Sequence, residues 1–188
     1  MEDMVYTVFL DRDGVINQDS DAYVKDPSEF EFIPKSPEAI ALLTQNSFRV
    51  IVITNQSMIG RNLASKETLD AIFEKMKTGI EKAGGRITDI FYCPHMDEDR
   101  CACRKPKPGL IFQAQKKYRI DLSRSFMVGD STKDILCARN AGCAKAILVK
   151  TGNGQAALAD PVNRRQAPDY VADDLYDAAC WIIESAKS

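Results

Sequence analysis

Short apolar runs rich in β-branched residues alternate along this chain with longer amphipathic stretches, and that alternation restricts the fold more than any single motif. Val5–Leu10, Arg49–Thr54, Asp89–Cys93, Ser125–Gly129 and Ala144–Val149 read as strands. Between them a helix opens at Pro37 with Ser36 as its cap, and a long helix runs from Ser65 to Lys82. Further helices start at Gly109 and cover Thr132–Asn140, Val171 marks a weak edge strand, and Asp174–Ala186 forms a closing helix. Such repetition predicts an α/β fold with a mainly parallel sheet, because parallel neighbours need a crossover and a helix is the usual one. Arg49–Thr54 (RVIVIT), apolar through its middle, belongs at the centre with both faces covered.

The length of 188 residues suits one domain spanning 1–188, without internal repeat, low-complexity tract or interdomain linker. Residues 11–35 read as a polar loop packed down by Tyr23, Phe30 and Phe32. A net charge of −2 with no basic block argues against nucleic acid as a partner, and no stretch approaches membrane-spanning length. Met1-Glu2-Asp3 carries the wrong charge for an export signal, so the expected protein is a cytoplasmic monomer.

In a sheet of this kind ligands bind at the carboxyl ends of the strands. Asp11 and Asp13 follow the first strand, Thr54 and Asn55 end the second, and Asp130 follows SFMVG. Asp11, delivered by a buried strand with Gly14 allowing the turn away, is placed to attack phosphorus and form an acyl-phosphate. Asp13, two residues on, can protonate the departing alkoxide and then deprotonate water. Acidic groups beside a phosphate need a cation, and Asp11, Asp13 and Asp130 offer oxygen ligands suited to Mg²⁺. Asp134, one helical turn after Asp130, can orient the metal's water shell or a lysine. Thr54 and Lys105 supply donors to the phosphoryl group, and Asn55 and Arg104 face the substrate beside them. A simpler reading makes Asp11 and Asp13 turn caps and Asp130 a helix start. Another makes the chain a phosphoacceptor module without turnover, against which Asp13 argues.

The one histidine and three of the six cysteines fall between positions 93 and 103. Cys93-Pro94-His95 and Cys101-Ala102-Cys103 each place two ligands on one side of an extended segment, and two such bites give the tetrahedral set of a structural Zn²⁺. With His95 so occupied no imidazole is left for a catalytic triad. Cys137, Cys143 and Cys180 read as small core residues. Zinc would organise residues 93–108, the segment that delivers Lys105.

The set DRDG (Asp11–Gly14), ITNQS (Ile53–Ser57), CRKPKPG (Cys103–Gly109) and VGDSTKDI (Val128–Ile135) resembles the haloacid dehalogenase superfamily of phosphatases. That resemblance implies a Rossmann-like three-layer sandwich, Asp11 as nucleophile, Asp13 as acid/base, Thr54 and Lys105 on the phosphoryl group, and Asp130 on Mg²⁺. It also implies that the Asp13 backbone carbonyl ligates the metal. The CPH…CxCRKP segment is similar to that of the heptose bisphosphate phosphatases and the histidinol-phosphate phosphatases, compact families without a separate cap domain. Asp21–Val24, Phe30–Phe32 and Thr151–Gly154 lean toward the heptose family, whose substrate is a small phosphorylated sugar used for bacterial surface polysaccharide. Ser57–Asn62 departs from that family's SGIARG-like pattern, Met58 standing where it has a glycine.

Overall fold

Side-chain alternation along the strands decides which helices cover which face. The structure, a computed structural model, describes residues 5–160, 162 and 165–187. The acidic opening Met1–Asp3 lies outside them. The strands are β1 (Thr7–Leu10), β2 (Arg49–Asn55), β3 (Asp89–Cys93), β4 (Ser125–Gly129), β5 (Lys145–Val149) and β6 (Tyr170–Ala172). Val8 and Leu10, Val50 and Val52, Phe126 and Val128, and Ile147 and Val149 point to one face. Phe9, Ile51, Ile53, Met127 and Leu148 point to the other.

The first face is covered by α1 (Ser36–Gln45), α2 (Lys66–Lys82) and α6 (Leu175–Ser185). The second is covered by α3 (Gly109–Tyr118), α4 (Thr132–Ala141) and α5 (Gly154–Ala159). Phe9, fully buried in the second layer, is a position where truncation to Ala costs about 3–5 kcal/mol. Every strand pair is parallel, in the order β3-β2-β1-β4-β5-β6, which makes the expected mainly parallel sheet wholly so. Successive strands build outward from β1 to β3 on one side and from β4 to β6 on the other. Their loops part above β1 and β4, leaving a crevice at that switch point.

Local chemistry agrees with most of the predicted elements. Ser65 caps α2 by accepting the Thr68 N–H at 3.2 Å, and Asp174 caps α6 by accepting that of Asp177 at 2.9 Å. The expectation for Ser36 is corrected. Lys35, with φ of 65°, precedes α1 as its cap residue, and the buried Ser36 hydroxyl donates to Ile16 O at 2.6 Å, tying the 11–35 loop down. Phe30 and Phe32 pack edge to face at 5.0 Å and help to hold that loop, as expected of its aromatics. The short helix α5 had no counterpart among the predicted elements. Among the described residues no helix is long and apolar enough to cross a membrane.

Candidate active site

Asp11 stands one residue beyond β1, where parallel pairing still holds its backbone: its N–H donates to Val128 O of β4 at 3.0 Å. Its Oδ1 accepts the Arg12 N–H at 2.7 Å, and its Oδ2 pairs with Lys105 Nζ at 2.8 Å. Lys105 Nζ also donates to Asp134 Oδ1 at 2.6 Å and to Ile53 O at 3.0 Å, which commits an ammonium's donors. Burial works against the lysine's charge, but Asp11 and Asp134 outweigh it and lift the group above its ordinary range. Asn55 clamps the same residue through its backbone, accepting the Lys105 N–H at 3.0 Å and donating to Lys105 O at 3.2 Å.

Asp130 follows β4, and its Oδ2 accepts the Asn153 N–H at 2.8 Å. Burial pushes Asp11 up to about 8; Lys105 opposes the rise, while Asp134 and Asp130 add to it. Asp130 rises to about 7, again chiefly through burial, with Asp134 contributing. Carboxyl groups this reluctant to ionise mark a place for a cation, which removes the repulsion between them. Carboxylate oxygens of Asp11, Asp130 and Asp134 all lie within 4.8 Å of one another. Asp134 is fully buried, with one oxygen on Lys105 and the other on the Ser131 N–H and hydroxyl at the start of α4. It therefore orients the lysine and caps the helix, leaving Asp11 and Asp130 to face the cleft.

Two glycines make room for Asp130. Gly14 has φ of +76°, and a Cβ there would stand 2.1 Å from Asp130 Oδ2. Gly152 has φ of +55°, and a Cβ there would stand 2.3 Å from the same oxygen. Thr151 Oγ1 donates to Gly14 O at 2.6 Å and binds the two turns together.

Asp13 lies in a different environment. Arg12 donates to both its oxygens, at 2.7 and 2.9 Å, and Asn17 Nδ2 and Gln56 Nε2 each add a hydrogen bond of 2.9 Å. Burial alone would raise this carboxyl, yet Arg12 and the two amides outweigh it and hold the group below its ordinary value. Its carboxylate is not part of the Asp11, Asp130 and Asp134 cluster. A cleft of about 710 Å³ opens over Asp11, Asp13, Thr54, Asn55, Lys105 and Asp130. Arg104 also faces it, held on Asp97 Oδ1 at 2.6 Å. In the divergent loop, Ser57 lines the cleft, whereas Met58 is fully buried in the core and its departure from the expected pattern points inward.

The Cys/His loop forms a compact set of its own. Cys93 Sγ lies 3.2 Å from Cys103 Sγ, 3.6 Å from Cys101 Sγ and 3.5 Å from His95 Nδ1. Cys103 Sγ lies 3.4 Å from Cys101 Sγ and 3.3 Å from His95 Nδ1. Those separations suit a tetrahedron whose centre is about 2.0–2.3 Å from each ligand, the bond lengths of zinc. All these cysteines are free of disulfides. Lys107 Nζ donates to Arg100 O and Cys101 O at 3.0 and 2.7 Å, closing the loop just after Lys105.

Sequence reasoning passed over Arg12, Asn17, Gln56 and Asn153. Gln56 carried a signal, standing two residues after Thr54 where an extended segment returns to the same side. Asn153 carried none, since its partner Asp130 is reached only through the fold.

A strand-end carboxylate at the switch point of a doubly wound sheet, beside a buried lysine and a second strand-end carboxylate, defines a phosphoryl-transfer hydrolase. A family model described as HAD-hydrolase-like matches residues 102–178. A D-glycero-beta-D-manno-heptose-1,7-bisphosphate 7-phosphatase of Bordetella bronchiseptica is 46% identical over 168 residues, 88% of this chain and 93% of that protein. One of Pseudomonas aeruginosa is 45% identical over 177 residues, 94% of this chain and 97% of that protein. The crystal structure of the D,D-heptose 1,7-bisphosphate phosphatase from B. bronchiseptica, complexed with magnesium and phosphate, superposes with a TM-score of 0.89 at 42% identity, covering 96% of this chain and 99% of that one. The chain belongs to the haloacid dehalogenase-like hydrolase family and is a phosphatase.

Proposed function

We propose that this enzyme is a Mg²⁺-dependent phosphomonoesterase that removes the 7-phosphate of D-glycero-β-D-manno-heptose 1,7-bisphosphate in the cytoplasm. The observation that carries the chemistry is Asp11 at the β1 tip, paired with Lys105 and facing Asp130 across the switch point. Likeness over nearly the whole chain to enzymes named for that substrate supports the choice of sugar.

In the first step an Asp11 carboxylate oxygen attacks phosphorus, the ester P–O bond breaks, and the sugar alkoxide takes a proton from Asp13. In the second, Asp13 accepts a proton from water as that water attacks the aspartyl-phosphate, releasing phosphate and regenerating Asp11. Asp13 must leave part of its hydrogen-bonded shell of Arg12, Asn17 and Gln56 to do so. Thr54 and Lys105 stabilise charge on the transferring group. Asp11, Asp130 and the Asp13 backbone carbonyl would hold Mg²⁺, which would supply charge neutralisation at the phosphoryl oxygens. Asp134 and Asn55 keep Lys105 in place, and Arg104 faces the substrate's second phosphate. Cys93, His95, Cys101 and Cys103 would hold Zn²⁺, which would fix the loop that presents Lys105.

The test is phosphate release with Mg²⁺ from both anomers of heptose 1,7-bisphosphate and from histidinol phosphate, with Asp11→Asn as control. A kcat/KM for the β-anomer about a hundredfold above histidinol phosphate, some 3 kcal/mol of discrimination, is the expected result. Comparable values for the two substrates overturn the choice of sugar. Turnover that survives Asp11→Asn overturns the mechanism.

A further inference from the structure

We infer that Gln56 is a positioning residue for this hydrolysis: its side-chain amide turns the Thr54 hydroxyl toward the phosphoryl group and braces the Asp13 carboxylate beside it. The inference rests on the phosphatase reading above and deepens it.

Gln56 is buried directly after β2, and its Nε2 donates to Asp13 Oδ2 and to Thr54 Oγ1, each at 2.9 Å. A primary amide nitrogen carries two hydrogens, so both are committed. The reversed amide would set its oxygen against the Asp13 carboxylate, which fixes the orientation on electrostatic grounds. Thr54 Oγ1 is thereby an acceptor, and the hydroxyl hydrogen must turn away from Gln56. Thr54 lines the cleft, and among the described residues its hydroxyl has no acceptor. The open direction is the cleft, where a phosphoryl oxygen would stand. A preorganised donor of this kind strengthens as charge develops and needs no reorientation during reaction.

Gln56 also touches the second group that the reaction needs. Arg12 and Asn17 hold Asp13 from its other sides, and Gln56 alone among its side-chain partners reaches Thr54 as well. One amide thus registers the phosphoryl donor against the acid/base. Shortening or neutralising that contact leaves the pocket shape intact but lets the Thr54 hydroxyl rotate.

The experiment is a double-mutant cycle of Gln56→Met and Thr54→Val, read as kcat and KM for heptose 1,7-bisphosphate and p-nitrophenyl phosphate with Mg²⁺. Gln56→Met is expected to lower kcat by about 10- to 100-fold with KM changed less than about threefold. In the Thr54→Val background the same change is expected to cost at least about fivefold less, because its partner is gone. Gln56→Glu, of the same shape but without the donor, is expected to lower kcat further than Gln56→Met. Equal costs in both backgrounds, or an effect confined to KM, would assign Gln56 a packing role and overturn the inference. If melting shows that Gln56→Met does not fold, Gln56→Glu carries the same cycle. Failure of the underlying phosphatase reading is distinct: it would show as wild-type turnover insensitive to Asp11→Asn.

Discussion

The centre around Asp11 and the Cys/His loop both gather ligand-type side chains, yet they are held together in opposite ways. Around Asp11 the groups come from separate strands, and the protein compensates them itself: Lys105 bridges Asp11 and Asp134, Asn153 holds Asp130, and Arg12 holds Asp13. In the loop the ligands are neighbours in sequence, and the short contacts of the three thiols and the imidazole are to one another. Self-compensated charges let a region fold before its metal arrives, whereas thiols crowded together need the ion to fix their geometry. On the proposed reading, one metal would serve turnover and the other would serve shape.

The sharpest way to break this contrast is to disable chemistry alone. Asp11→Asn keeps the shape of the side chain but cannot form the acyl-phosphate, so phosphate release should fall about 10⁴-fold or more. Its melting temperature should stay within about 3 °C of wild type. A large loss of stability would mean that the centre is a structural element after all.

Disrupting the Cys/His loop should do the reverse. Metal analysis is expected to find about one zinc per chain, and Cys101→Ser to lower the melting temperature by about 5–10 °C. Activity should drop by about 10- to 100-fold as the segment carrying Lys105 loosens. Protein that contains no zinc when purified without chelator, yet retains full stability, would remove the distinction between the regions.

Gly152→Ala probes the fit of the proposed Mg²⁺ without replacing a ligand. The new Cβ would stand 2.3 Å from Asp130 Oδ2 and 2.5 Å from Gly14 Cα, so the Mg²⁺ concentration for half-maximal activity should rise about tenfold or more, with melting lowered as well. An unchanged Mg²⁺ requirement would show that Asp130 does not need this cradle.

The smallest expected effect is on pH. Asp11 and Asp130 titrate near 8 and 7 without metal, mainly because they are buried. Protons and Mg²⁺ compete for them, so apparent Mg²⁺ affinity should rise with pH through this range, by at least about tenfold between pH 6 and 8. The linked sign for folding follows: in metal-free protein these raised carboxyls favour the native state at low pH. That advantage is lost as pH climbs from the unfolded value of about 4 toward 8. Calorimetry of Mg²⁺ binding at both pH values measures the effect, and a pH-independent affinity would mean that neither carboxyl is a ligand.

Much of this contrast was legible in the residues. The strand pattern placed Asp11, Thr54 and Asp130 at neighbouring tips because a parallel sheet aligns its carboxyl ends, and β3 and β4 came out with the expected bounds. The Cys/His set was legible because its spacing is local. What escaped was the partnering across the fold. Nothing in DRDG says that Arg12 turns back on Asp13, and Asn153 meets Asp130 only because β5 lies beside β4. Ser36 misled because the helix starts on it, after the left-handed Lys35, and its hydroxyl donates to Ile16 O of the preceding loop.

Gly14 and Gly152 face each other across the Asp130 carboxylate so closely that a methyl group on either would collide with it. A substitution at either position carries a cost, because the new residue must both adopt the turn and displace the acid. The rim of the cleft is under no such restriction. Exposed residues such as Asp19, Ser20 and Asp21 can be exchanged without disturbing the sheet. A lineage carrying this fold would therefore explore new substrates by rewriting its rim while the floor around Asp130 stays fixed, and two side-chain-free positions set how far that drift can reach.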